Sequence, residues 1–307
     1  MADAMDKDKE KVTTAYRSGY VALIGRPNVG KSTLLNQMLG EKVAIVSPKP
    51  QTTRNRITGI RTTESCQIIF LDTPGIHQGH SLMNRRMVDT ALHTLDEVDG
   101  VLWLLDAHER IKQEDEMIAE TLRGVETPVL ILINKIDLVS KGKLLPLMER
   151  CSQFLPAKEI VPVSALKDEG LDTVLNIVES WLAEGPRYFT DGEHTDQSER
   201  FLASEIVREK VFLLTREEIP YGVAVTIDEF IEKPEKNLIV ISATIHTERD
   251  SHKGILIGKR GAMLKEIGQQ ARQELEGLLG CRIFLELFVR VDAGWTQNPN
   301  QLTEMGL

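Results

Sequence analysis

The residues able to do chemistry in this chain fall into short turns, and the first of them has the make-up of a phosphate cradle. Gly25-Arg26-Pro27-Asn28-Val29-Gly30-Lys31-Ser32 spells G-x-x-x-x-G-K-S between an apolar run, Tyr20 to Ile24, and a helix-like run, Lys31 to Leu39. Glycines at that spacing let backbone N–H groups turn onto phosphate oxygens, and the helix N-terminus favours the anion. Lys31 can reach the β and γ phosphates, and Ser32 can give an oxygen to Mg²⁺. Asp72-Thr73-Pro74-Gly75, followed by Ile76, ends a second apolar run. There Asp72 can hold Mg²⁺ through a water, and the Gly75 amide can sense the γ-phosphate. Asn134-Lys135-Ile136-Asp137 follows the most apolar run of the chain. The Asp137 carboxylate offers two acceptors to the N1–H and N2–H₂ donors of guanine, a pair that adenine lacks, so it is expected to be a buried, base-selecting group. Asn134 can tie this turn to the phosphate loop, and the Lys135 stem can cover the base. Ser164-Ala165 can give a backbone N–H to guanine O6. In that order, each after an apolar run, residues 25–32, 72–76, 134–137 and 164–165 read as one GTP site with Mg²⁺.

Such turns need a scaffold, and the chain supplies its pattern. Apolar runs at Tyr20–Ile24, Gln67–Leu71, Gly100–Leu105, Pro128–Ile133 and Glu159–Val163 alternate with amphipathic segments such as Asp115–Leu122 and Leu171–Leu182. Alternation of this kind predicts α/β architecture, a mostly parallel sheet with helices on both faces, and ligands at the strand C-termini. Residues 18–184 are assigned to this domain. Residues 185–199 are polar and read as a linker. From 200 to 293 the order changes to helix, strand, strand, helix, helix, strand, with strands at Gly222–Glu229, Leu238–Ile245 and Arg282–Val291. This predicts a smaller α+β domain. Residues 1–17 read as a disordered tail and 294–307 as a C-terminal tail without assigned structure.

In the second domain, Gly258-Lys259-Arg260-Gly261 stands between two helical segments. The latter helix places Leu264, Ile267, Ala271, Leu275 and Leu278 on one face. A G-x-x-G turn between helices is the clamp with which KH domains hold about four nucleotides of single-stranded RNA. Lys253, Lys259, Arg260 and Lys265 make a local basic footprint there, with Arg249 alongside and only Asp250 opposing it. The 307-residue chain as a whole carries a formal charge of −9, which argues against non-specific coating of nucleic acid. Its cysteines, Cys66, Cys151 and Cys281, are far apart and odd in number, as expected for a reducing cytosol, and each is assigned to buried packing. No apolar stretch approaches the roughly 20 residues of a membrane span.

With these motifs in place, residues Tyr20 to Leu182 resemble the translation-factor class of P-loop GTPases. The resemblance implies that the loop Ser47–Arg56 supplies a threonine to Mg²⁺ and the γ-phosphate. Thr53 is favoured for that role, with Thr52 as the alternative. Ile76 stands where Ras-like enzymes carry the glutamine that orients water, so slow intrinsic hydrolysis is expected. Asn28 holds the position that in similar GTPases coordinates K⁺. Lys31, Thr53, Asp72, Gly75 and Asn28 are therefore the candidate catalytic set. The whole arrangement, with Gln51-Thr52-Thr53-Arg54 and Glu218-Ile219-Pro220-Tyr221 as further matches, resembles a bacterial family that joins a G domain to a C-terminal KH domain. That resemblance implies hydrolysis of GTP to GDP and binding near the 3′ end of small-subunit ribosomal RNA. It also implies a role in small-subunit assembly and a monomeric, cytoplasmic protein with secondary, peripheral association with the cytoplasmic membrane. Two other readings are a GTPase acting on a protein or membrane partner, with the second domain as an adaptor, and a metabolic kinase, which Asn134 and Asp137 oppose.

Overall fold

The computed structural model describes residues 15–79, 81–155 and 159–307. Most of the expected N-terminal tail, residues 1–14, lies outside the described residues. The first domain carries a six-stranded sheet of order β2-β3-β1-β4-β5-β6. Its strands are β1 (Arg17–Gly25), β2 (Ile57–Thr62), β3 (Cys66–Asp72), β4 (Gly100–Asp106), β5 (Val129–Asn134) and β6 (Glu159–Pro162). Only β2 runs antiparallel. The central strands are covered on both sides, which is why they read as continuous apolar runs rather than alternating ones. Residues Val21 to Ile24 are fully buried. Helices α1 (Lys31–Leu39) and α5 (Leu171–Trp181) bury Leu34, Leu35, Val174 and Val178 against one face. Helices α2 (Leu82–His93), α3 (Gln113–Arg123) and α4 (Leu144–Ser152) cover the other, with Ala91, Ile118 and Cys151. Because all parallel strands point the same way, β1, β3 and β5 deliver their terminal residues to one rim.

The second domain follows as α6 (Glu199–Leu214), β7 (Val223–Lys233), β8 (Leu238–Thr247), α7 (Asp250–Ile257), α8 (Ala262–Leu279) and β9 (Arg282–Val291), the order expected. β7 pairs antiparallel with β8, and β8 pairs parallel with β9. A parallel pair needs a long crossover, and α7, the Gly258–Gly261 turn and α8 provide it. Ile206, Val207, Ile241, Leu256, Ile267 and Ala271 pack in its core.

One expectation, the burial of Cys281, is corrected, and two connecting segments gain contacts. The segment between the domains, expected as a linker, is held against the first domain. The Gln67 side chain accepts from the Tyr188 and Phe189 amides and donates to the Phe189 carbonyl, the Ile60 amide donates to His194 O at 2.8 Å, and Thr195 Oγ1 donates to Thr58 O at 2.7 Å. It thus covers the outer edge of β2, whose unpaired backbone groups need partners. The C-terminal segment is ordered as well. Trp295 and Leu302, which lies on α9 (Pro299–Glu304), are fully buried with Met83 and Met87 of α2 and with Ala224, joining the two domains. Cys281 is half-buried, whereas Cys66 and Cys151 are buried as expected.

Candidate functional site

The phosphate loop leaves β1 at Gly25 and enters α1 at Lys31. Asn28 (φ 64°) and Gly30 (φ 102°) lie in the left-handed region, which aims successive amides into the concavity. Gly30 has a second reason to lack a side chain, since a Cβ there would sit 2.3 Å from Asn134 Nδ2. The buried Arg26 guanidinium turns away from the loop, donating to Asp115 Oδ1 at 2.7 Å and Glu109 Oε2 at 3.1 Å. Its role is to anchor the loop to α3, and only its backbone belongs to the cradle. Lys31 Nζ folds back onto the carbonyls of Gly25 (3.0 Å) and Arg26 (3.1 Å). Burial pushes its pKa down to about 8, partly offset by Asp72.

Below the loop, Ser32 Oγ donates to Asp72 Oδ2 at 2.6 Å and stands 2.8 Å from Thr53 Oγ1, which lies 3.4 Å from the same carboxylate oxygen. Burial pushes Asp72 up to about 6, with Lys31 and the two hydroxyls opposing the rise. Asp72 Oδ1 is buried and lacks a partner. Hard oxygens from one carboxylate and two hydroxyls, gathered beside a phosphate cradle, fit Mg²⁺, which takes few protein ligands and completes its shell with phosphates and water. Among the described residues no group of three His, Cys, Asp or Glu side chains could hold a metal. Of the two candidate threonines, Thr53 is the one whose hydroxyl lies at the Ser32–Asp72 pair. Thr52 Oγ1 is occupied away from the trio, by Lys49 O at 2.8 Å and Ser47 Oγ at 3.0 Å.

The Asp72–Ile76 turn is fastened to the cradle. Thr73 Oγ1 donates to Leu23 O at 2.7 Å, and the Ile76 amide donates to Gly25 O at 3.2 Å. Gly75 lies against Pro27 so closely that a Cβ would meet its nitrogen at 2.5 Å. The Ile76 side chain is buried in the apolar core, as its chemistry demands, and cannot hold water. A cavity of about 370 Å³ opens over Lys31, Ser32, Thr53, Gly75, Asn28 and Lys135.

The base-side turn is built around Asn134, which is 2% exposed. Its Nδ2 donates to Val29 O at 2.8 Å, and its Oδ1 accepts from the amides of Lys135 (2.8 Å) and Ala165 (3.0 Å). One side chain therefore ties three loops together. Of the Ser164-Ala165 pair expected to give a backbone N–H to guanine O6, the Ala165 amide is engaged with Asn134 and the Ser164 amide with Glu169 O at 3.0 Å. Lys135 Nζ spans to Asn28 O at 2.6 Å and Asp106 Oδ2 at 2.7 Å, stretching its stem across the site. Ser164 Oγ donates to Asp137 Oδ1 at 2.6 Å and fixes its orientation. Asp137 is exposed rather than buried, on the short turn Ile136–Leu138 that follows β5.

Across the molecule, Gly258, Lys259, Arg260 and Gly261 form the turn between α7 and α8. Gly258 (φ 72°) would place a Cβ 2.8 Å from the Met263 amide, so the turn tolerates only glycine there. Lys259, Arg260 and Lys265 are exposed and Lys253 is half-buried. Beside them runs a groove of about 400 Å³ between α8 and β9, with Leu264, Leu285 and Leu287 at its base and Lys265 and Arg272 at its rim. An aliphatic floor with a cationic rim suits bases below and phosphates above.

Sequence reasoning did not find the residues joining the two sites. The Arg54 guanidinium is buried, donating to the carbonyls of Val223 (2.6 Å), Pro220 (3.1 Å) and Tyr221 (2.9 Å). Arg208 Nη2 donates to Thr52 O at 2.5 Å. Nothing local in the sequence marks an arginine whose partners lie more than 150 residues away.

A mostly parallel sheet whose strand ends carry the G-x-x-x-x-G-K-S, D-x-x-G and N-K-x-D turns, with an appended G-x-x-G domain, defines a P-loop GTPase with a KH domain. A family model described as "50S ribosome-binding GTPase" matches residues 20–135, and one described as "KH domain" matches residues 218–296. GTPase Era of Geobacter sp. (strain M21) is 54% identical over 95% of this chain and 98% of its own length. GTPase Era of Syntrophus aciditrophicus is 52% identical over 95% of each chain. Among solved structures, Era in complex with MgGDPNP and nucleotides 1506–1542 of 16S ribosomal RNA matches with a TM-score of 0.92 and 43% identity, over 95% of this chain and 99% of that one. A point variant of Aquifex aeolicus Era bound to GDP·AlF4⁻ matches with a TM-score of 0.91 and 43% identity, over 94% of this chain and 99% of that one. The chain belongs to the GTPase Era family and hydrolyses GTP, with Mg²⁺ as cofactor.

Proposed function

We propose that the protein is a GTP-driven switch that binds small-subunit ribosomal RNA near its 3′ end and acts in assembly of that subunit. The observation that carries this is the basic G-x-x-G turn and apolar groove on the same chain as a nucleotide cradle. The similar Era structure holding MgGDPNP together with a 16S ribosomal RNA segment supports it. The functional units are residues 18–184 for the nucleotide and 200–293 for RNA.

In this reading Lys31 binds the β and γ phosphates, whose negative charge draws it back to full protonation. Ser32, Thr53 and Asp72 would hold Mg²⁺, which neutralises charge developing on the phosphates during hydrolysis. The Gly75 amide senses the γ-phosphate, and Asp137 selects guanine. Asn28 donates to Pro48 O at 2.7 Å, and its Oδ1 is assigned as a K⁺ ligand that supplies charge where Ile76 supplies no water-orienting group. Hydrolysis rates that are equal in Na⁺ and K⁺ buffers would remove that assignment. No described helix is long and apolar enough to cross a membrane. The working unit in this reading is a cytoplasmic monomer whose membrane contact is peripheral, and co-sedimentation with anionic vesicles tests that contact.

The deciding experiment replaces Lys259 and Arg260 together by Asp and measures binding to a 3′ segment of small-subunit RNA across a salt series. Loss of affinity with a shallower salt slope and intact GTP turnover is expected. Unchanged affinity would favour an adaptor role for the second domain.

A further inference from the structure

Thr53 sits on a stretch without regular secondary structure, between α1 and β2, yet its hydroxyl is held at the Ser32–Asp72 pair. Much of what fixes that loop comes from the other domain. The Val46 amide donates to Glu209 Oε1 at 2.9 Å. Lys49 Nζ donates to the carbonyls of Phe212 and Thr215 at the end of α6. The carbonyl just before Thr53, that of Thr52, accepts from Arg208, and the side chain just after it, Arg54, caps the carbonyls of residues 220, 221 and 223. Both immediate neighbours of Thr53 are therefore gripped by the KH domain.

The grip is built on two arginines that share one aromatic ring. The Arg54 and Arg208 guanidiniums lie over the same Phe212 ring, 5.7 and 5.2 Å from its centre. Burial, reinforced by Arg208, pushes Arg54 down to about 9, with Glu205 opposing. Arg54 Nε and Arg208 Nη1 are buried without partners. Arg208 Nε also donates to Glu205 Oε1 at 2.7 Å, so the pocket sets two guanidiniums against one carboxylate. The same element also touches the RNA side. Lys42 and Lys210 bridge Glu209 on α6 and Glu274 on α8, the helix whose other face lines the groove.

We propose that the KH domain completes the GTPase site: Arg208, with Lys49 as its counterpart on the loop, is a positioning residue that holds Thr53 at Ser32 and Asp72. The inference rests on the assignment of Thr53 to catalysis and not on the identity of the RNA. In the full chain, with RNA absent, Arg208→Met removes the charge and every donor while keeping length. Single-turnover GTP hydrolysis should fall about tenfold, and half-maximal activity should need more Mg²⁺, with GDP affinity within about twofold of wild type. Arg208→Lys, which keeps one donor for the Thr52 carbonyl, should recover part of the rate. Wild-type turnover and Mg²⁺ dependence in Arg208→Met would overturn the proposal. Thermal unfolding controls for folding. Should Arg208→Met not fold, Lys49→Met, which severs only the loop's hold on the end of α6, is expected to give the same pair of changes, and its wild-type behaviour overturns the proposal equally. If Thr53→Val itself hydrolyses GTP normally, the assignment of Thr53 has failed rather than the role of the KH domain.

Discussion

Removing the Asn134 side chain tests how the nucleotide site is held together. Asn134→Ala deletes bonds at 2.8, 2.8 and 3.0 Å, to the Val29 carbonyl and the Lys135 and Ala165 amides. Each such bond contributes about 0.5–1.5 kcal/mol net, and a buried group left without its partner costs about 1–3 kcal/mol. Water can enter at this open rim and re-solvate part of what is exposed, so about 3 kcal/mol of destabilisation is the working figure. Urea unfolding of the nucleotide-free protein reads it directly. GTP affinity should fall at least about tenfold, since a coupling loss of roughly 1.4 kcal/mol already gives that factor. Asn134→Asp sharpens the test. It retains Oδ1 for the two amides but sets a second oxygen where Nδ2 now donates 2.8 Å from the Val29 carbonyl. It should therefore damage phosphate-loop order specifically, lowering affinity for GTP and GDP alike. If Asn134→Ala unfolds within about 0.5 kcal/mol of wild type and binds GTP within about twofold, the three-loop tie is not what holds the site.

Thr53→Val should reduce Mg²⁺-dependent hydrolysis strongly, about a hundredfold, whereas Thr52→Val, which loses only local loop bonds, should cost under about tenfold; steady-state rates compare them. Mg²⁺–GTP affinity should be highest between about pH 6 and pH 8: below it Asp72 takes up a proton and metal must displace it, and above it Lys31 in the free protein loses its charge. For stability the sign is opposite for Asp72, whose raised value makes the free protein's burial of that group most favourable below the unfolded carboxylate range and progressively less so as pH rises through about 6; calorimetry without Mg²⁺ should show the decline. Trp295→Ala should cost about 3–5 kcal/mol by denaturant unfolding, because the ring is fully buried and its Nε1 donates to Gly222 O at 3.1 Å. Alkylation at pH 8 should modify Cys281 first, since burial pushes Cys151 up to about 11 and leaves only about one thiolate in a thousand there.

The first domain was legible largely because parallel strands buried on both faces must be apolar throughout. The sheet edge was not. β2, Ile-Thr-Gly-Ile-Arg-Thr, carries a glycine and an arginine, and its outer side is completed by the segment that read as a linker. Helices α2 and α4 escaped notice for a similar reason: Asn-Arg-Arg in one and a proline in the other obscure the apolar period, and the surfaces they cover were set by distant strands. In the second domain, the order of elements and the Gly258–Gly261 turn were visible, because a G-x-x-G needs glycine for local backbone reasons.

The sequence by itself determined the nucleotide chemistry, since each motif is a contiguous turn whose backbone conformation and functional groups are specified within a few residues. Tertiary structure alone decided that Thr53 rather than Thr52 faces Ser32, that Asp137 stands exposed, that Trp295 joins the domains and that Arg54 and Arg208 share one ring. These depend on side chains brought together across as many as two hundred residues, where the energy of each contact belongs to the packed pair and to neither segment alone.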